Sequence, residues 1–262
     1  HGEGSEDTEH QWKDEPFDDT TKAFYRRLFE RWGLTVETER EVFFRGRAID
    51  LVVSCTDDDR LRLQGTVFSH FRWLNALELK GVNDPLTLAN YNRIMMRAWG
   101  LGALRLKETA DEATDGEEPP RVERVERETD QIPGHRTVTI VCVTRPDRIL
   151  DGLKEELGFL PTAEPGIYLC DERLPQWIIN PTELALVPRN YPLLPLAKGE
   201  KLRQFMEVCL HEGLTDYLQL ILDVGLATDP VVIWQKILEV KQMRPVLPEE
   251  TWKHIDEFFR KT

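Results

Sequence analysis

Along residues 20–32 the apolar positions Ala23, Phe24, Leu28, Phe29 and Trp32 recur at helical spacing. Asp19 or Thr20 is placed to cap that helix and Gly33 to end it. The pattern then changes to strand, with segments at 34–44 and 47–55 joined by a turn at Arg45-Gly46-Arg47. Residues 57–72 form a polar excursion that opens on Asp57-Asp58-Asp59, adjacent acids expected of an exposed turn; the run RLRLQGTVF inside it can add strand. A second apolar run, 73–81, ends at Gly81. Asp84 as a cap and Pro85 in the first position predict a helix to about Trp99, with Leu88, Tyr91, Met95 and Ala98 along one side. Thr137–Val143 is apolar enough for a central strand, and Pro146-Asp147 opens a short helix to about 157. Residues 166–180 have the form of a hairpin with Asp171-Glu172 near its turn. After a Pro-rich irregular stretch to Leu196, helical spacing returns in four pieces, about 198–212, 215–224, 229–242 and 248–261. This order predicts an α/β fold, a mixed central sheet flanked by helices, with a C-terminal helical region.

Three charged residues sit where that pattern is most apolar. Asp50 lies in AIDLVV, and Glu78 and Lys80 lie in ALELKG. A buried carboxylate is costly unless something pairs with it, and a divalent cation is the simplest partner for two acids. On a strand, alternation puts Glu78 and Lys80 on one face and Leu79 on the other, leaving the Leu79 carbonyl able to reach the ion. Magnesium or manganese accepts such hard oxygen ligands and activates water for phosphodiester hydrolysis, and a lysine beside that water can orient it. A salt bridge between Lys80 and one of the acids is the structural alternative.

A net charge of −13 speaks against a polyanionic partner until it is mapped. Residues 1–19 carry eight acids and one base, and residues 107–130 carry ten acids and four bases, which together account for all of it. Residues 20–106, around the two motifs, carry fourteen bases and ten acids. Nucleic acid therefore remains an admissible substrate. Both acidic stretches are poor in large apolar residues and are expected to be solvated. The four cysteines, Cys55, Cys142, Cys170 and Cys209, lack metal-site spacing and sit in apolar stretches, as buried reduced thiols of a cytoplasmic protein would. No apolar run has the length of a membrane span, so no membrane partner is expected. P-loop, GxGxxG and GxSxG motifs are absent, which removes support for nucleotide hydrolysis, dinucleotide use and serine-esterase chemistry. His70, His135, His211 and His254 have no mutual metal spacing; His70 stands out only because Phe71, Arg72 and Trp73 lead from it into the Glu78 strand. Arg45, Arg47 and Arg72 are candidate phosphate contacts or solvated charges.

With Asp50 in AIDLVV, Glu78 and Lys80 in ALELKG, and a helix after them, the chain resembles the PD-(D/E)xK nuclease superfamily. The runs LANYNRIMMRAWGLGAL and TVTIVCVTRP and the helical tail resemble its Rpn-type or transposase-related members. The resemblance implies a restriction-endonuclease-like core: a helix, three antiparallel strands, a helix and a fourth strand across residues 20–144. It also implies metal-dependent cleavage of DNA, with Asp50, Glu78 and the Leu79 carbonyl holding Mg2+ (or Mn2+) and Lys80 positioning the attacking water. Ile49 stands where the superfamily often has Pro, and the interval between Asp50 and Glu78 is long. Glu30 is the candidate for the acid many members carry on the first helix, and Asn83, Asn90 or Tyr91 would replace a Gln that often follows the lysine. The expected organisation is an acidic flexible segment at 1–19, a nuclease-like domain at 20–196 with a charged insertion near 107–130, and a helical region at 197–262 that packs on the sheet or forms a homodimer interface. The alternative is a catalytically inactive binding or assembly module on the same fold.

Overall fold

The computed structural model describes residues 15–43, 47–101 and 131–242. Helix α1 (Glu15–Arg31) starts earlier than the apolar spacing suggests, with Pro16 in the first turn, where its missing N–H costs nothing. Gly33, at φ +78°, turns the chain out of it. Strands β1 (Thr35–Phe43), β2 (Arg47–Ser54) and β3 (Leu74–Lys80) pair antiparallel in succession. Helix α3 (Leu88–Gly100) precedes β4 (Arg136–Cys142), which pairs parallel with β3. The sheet continues through β7 (Gln176–Ile179), parallel to β4, to β6 (Ile167–Cys170) and β5 (Leu160–Pro161), in the order β1-β2-β3-β4-β7-β6-β5. Helices α5 (Gly199–Glu212), α6 (Thr215–Thr228) and α7 (Pro230–Gln242) complete the described chain. It is an α/β fold with a seven-stranded mixed sheet.

Several local expectations change. Residues 57–72 add no strand; Asp57–Leu63 is a short helix, α2. The Thr56 hydroxyl accepts from the Asp59 N–H at 3.2 Å and the Asp59 carboxylate accepts from the Thr56 N–H at 2.7 Å, a reciprocal cap. The three aspartates are therefore the first turn of a helix, where negative charge is favourable, rather than an open turn. The cap of α3 is Thr87, whose hydroxyl accepts from the Asn90 N–H at 3.1 Å; Asp84 lies upstream with another task. The helix expected from Pro146 is divided into a π-helical turn, Arg148–Gly152, and α4, Lys154–Leu157. The expected hairpin forms as β6 and β7. Gly166, at φ +78°, leads into it, and a Cβ there would stand 2.7 Å from the Asn180 carbonyl oxygen. The acidic stretch before Glu15, Arg45 and Gly46 of the expected turn, the 107–130 insertion and the fourth tail helix lie outside the described residues.

Alternation along the strands sends side chains to two cores. Leu51, Leu77, Leu79, Val141 and Ile179 face a layer built from α1 and α5–α7, with Tyr25, Phe29, Phe205 and Ile221 among its buried residues. Ile140, Cys142 and Ile178 face the other way, against Ile94 and Ala98 of α3 and Ile149 of the π-helical turn. Tyr25 binds α1 to the later chain by donating to the Pro192 carbonyl at 2.8 Å. All four cysteines are buried free thiols. Among the described residues no helix is long and apolar enough to cross a membrane.

One buried polar residue fixes the strands that carry Asp50 and Glu78. Asn75, in β3, donates to the carbonyls of Val53 (3.1 Å) and Arg72 (2.7 Å). Its carbonyl accepts from the Arg72 N–H and the Thr137 hydroxyl, each at 2.7 Å. β2, β3 and β4 are thereby held together by a fully buried side chain.

Candidate functional site

The β2–β3 ladder runs from Ser54↔Leu74 to Leu51↔Leu77, and Asp50 and Glu78 are the next residues on each strand. There the Asp50 carboxylate takes the place of a strand: its Oδ2 accepts from the Leu79 N–H at 2.9 Å. The N–H and C=O of one strand residue point to the same side, so the Leu79 carbonyl also faces the β2 side, toward Asp50. The Leu79 side chain enters the α1-side core, as alternation requires.

Glu78 is 2 % exposed, and its carboxyl lies close enough to that of Asp50 for the two to perturb one another. Burial pushes the Glu78 carboxyl well above the usual carboxylate range, and the neighbouring Asp50 charge adds to this against the opposing pull of Arg97 and Lys80. Lys80 is placed on the same face as Glu78. Its Nζ lies 2.6 Å from Asp84 Oδ2, while Asp84 Oδ1 accepts from the Asn90 side chain at 3.2 Å. Asp84 thus holds the lysine instead of capping α3.

Two cations that sequence reasoning did not assign complete the cluster. Lys22, from α1, places Nζ 3.2 Å from Asp50 Oδ1. Arg97, from α3, reaches Glu78 Oε1 at 3.3 Å and also donates to the Ala48 carbonyl. A signal for both was legible. Lys22 falls three residues before Tyr25 and seven before Phe29, on the stripe those fully buried rings define. Arg97 stands between Ile94 and Leu101, both buried, at i+3 and i−4.

The structure does not bring Glu30 to this cluster. It is exposed, accepts from Arg26 at 2.9 Å, and lines a groove of about 510 Å³ between α1 and α6. Tyr91 is a core residue donating to Gln176 at 2.5 Å, and Asn90 belongs to the Asp84 contact. Among the described residues no three His, Cys, Asp or Glu side chains converge; Asp50 and Glu78 are a pair.

No family model, curated protein or solved structure matches this chain.

His70 is not part of the cluster. Its ring stacks on Trp177 at 4.5 Å between centroids and its Nε2 pairs with the Thr139 hydroxyl at 2.8 Å. Burial holds its pKa down at about 3. An unfolded chain takes up a proton on this residue near pH 6.5 and the folded chain does not, so folding is weakened as pH falls below that value. Between pH 6.5 and 4.5 the loss is expected to be about 2 kcal/mol after discounting for the partial exposure of the residue. Urea titrations across this range check it: His70→Gln should flatten the slope, and an unchanged slope would clear His70 of the effect.

Proposed function

We propose that this chain is a metal-dependent endonuclease-like protein that hydrolyses phosphodiester bonds, in DNA by preference, on a restriction-endonuclease-like core. The reading is carried by one observation: two neighbouring, electrostatically coupled strand carboxyls where β2 and β3 stop pairing, with a lysine placed on the same face as one of them. Apart from the short α2 inserted between β2 and β3, the helix, three antiparallel strands, helix and parallel strand around this point follow the order the PD-(D/E)xK resemblance implies, which supports the reading. Two carboxyls and the Leu79 carbonyl form a hard-oxygen set of the kind Mg2+ or Mn2+ accepts while keeping several waters. When bound there, the ion would supply an activated water and a counter-charge for the phosphoryl oxygens. The residues themselves would do the rest. The Leu79 N–H orients Asp50, Asp84 holds Lys80, and Lys80 presents an ammonium to the attacking water or to charge developing on phosphate.

Incubation of supercoiled plasmid with the protein in Mg2+, Mn2+ or EDTA tests this. Nicking is expected with either ion and none with EDTA. Absence of cleavage under every metal, on DNA and on RNA, would favour the second reading, an inactive binding or assembly module. One feature supports that alternative: Lys22 and Arg97 already give both carboxyls a cationic partner, so the pair can persist without a metal ion.

A further inference from the structure

We propose that Lys22 is a resident cation that sets how tightly the Asp50–Glu78 pair takes a divalent metal ion, an inference that rests on the metal-dependent reading of this site. Lys22 is only 8 % exposed, and its Nζ sits 3.2 Å from Asp50 Oδ1. The Asp50 side chain is itself 14 % exposed, and its other oxygen is engaged by the Leu79 N–H. An ion shared by Asp50 and Glu78 would therefore meet an ammonium on the same carboxylate, where water is scarce and like charges repel far more than at a surface. Lys22 cannot withdraw by moving the helix. Its stretch of α1 is pinned by Tyr25, which is fully buried and bonded to the Pro192 carbonyl. The contact differs from a surface salt bridge in this respect, since the backbone that delivers the charge is part of the core.

Arg97 plays a different part. Its guanidinium is shared between Glu78 and the Ala48 carbonyl, and its Nε donates to the Arg93 carbonyl at 3.3 Å, so it ties α3 to β2 as well as carrying charge. Lys22, whose ammonium meets the metal-binding carboxylate of Asp50 directly, is the residue to substitute.

The test is Mn2+ binding, followed by the paramagnetic resonance signal of the free ion, with wild type, Lys22→Met, Lys22→Arg and Asp50→Asn. Lys22→Met keeps the apolar stem without the charge and is expected to bind Mn2+ roughly 30-fold more tightly, about 2 kcal/mol. Lys22→Arg restores the charge and should return affinity to within about threefold of wild type. Asp50→Asn should lose binding, which locates the ion. Lys22→Gln, uncharged but still a hydrogen-bond donor, gives the same reading if Lys22→Met does not fold. Wild type that binds Mn2+ as tightly as the uncharged variants, or more tightly, overturns the role of Lys22 and leaves the metal site standing. No binding by wild type or by any Lys22 variant overturns the metal-dependent reading and this inference with it.

Discussion

Lys80→Ala is expected to slow Mg2+-dependent nicking of plasmid DNA by roughly a thousandfold while leaving the fold intact. The lysine's side chain is 11 % exposed and its ammonium is held from behind by Asp84, so it has a fixed place beside Glu78 rather than a solvated one. Its removal deletes a pre-oriented charge from the point where water would attack; β3 itself carries no other lysine, and Lys22 is committed to Asp50. Lys80→Arg should recover only part of the rate, since a planar guanidinium does not reproduce a compact point charge. Mn2+ affinity should be nearly unchanged in Lys80→Ala, in contrast to Asp50→Asn, because Lys80 is assigned to the water and Asp50 to the ion. Initial rates of nicking, with circular dichroism as the control for folding, settle the comparison. Equal rates for wild type and Lys80→Ala would remove the lysine from the reaction.

Asn75→Ala is expected to cost about 3 kcal/mol of stability and to lower Tm by about 6–12 °C. The side chain is 0 % exposed and satisfies the Val53 and Arg72 carbonyls, the Arg72 N–H and the Thr137 hydroxyl together. Truncation strands several of these groups at once in a place water does not reach, which is more damaging than losing one hydrogen bond. A Leu at this position should fare no better, since it fills the volume and satisfies none of them. Thermal unfolding followed by calorimetry would show the effect, and a shift of less than about 3 °C would contradict it.

Sequence pattern located the strands well because each has a strong apolar signal and a clear stop. The expected segments at 34–44, 47–55 and 73–81 became Thr35–Phe43, Arg47–Ser54 and Leu74–Lys80. Asp50, Glu78 and Lys80 were visible for the same reason: charge inside an apolar strand is conspicuous. What escaped was information carried by local hydrogen bonds. The Thr56–Asp59 cap turns a polar run into α2, and α3 starts at Leu88 behind a Thr87 cap while Asp84, further upstream, contacts Lys80 and Asn90. Lys22 and Arg97 escaped because charged residues on helices are usually solvated. Only the position of Lys22 on the Tyr25–Phe29 stripe, and of Arg97 between buried neighbours, marks them as different. Glu30 shows the converse: a residue type suited to the chemistry, which the fold pairs with Arg26 on an exposed part of α1, in the groove beside α6.

Because the Leu79 N–H ends on a carboxylate and not on another strand, one backbone amide is wired to the candidate site. In a nuclear magnetic resonance spectrum its proton frequency, and its rate of exchange with deuterated solvent, would follow whatever happens to Asp50. The Val138 amide two strands from Asp50 would stay silent, since it donates to the Pro175 carbonyl and has no part in the cluster. The protein thus carries its own spectroscopic gauge, built from a single peptide group and needing no label beyond nitrogen-15.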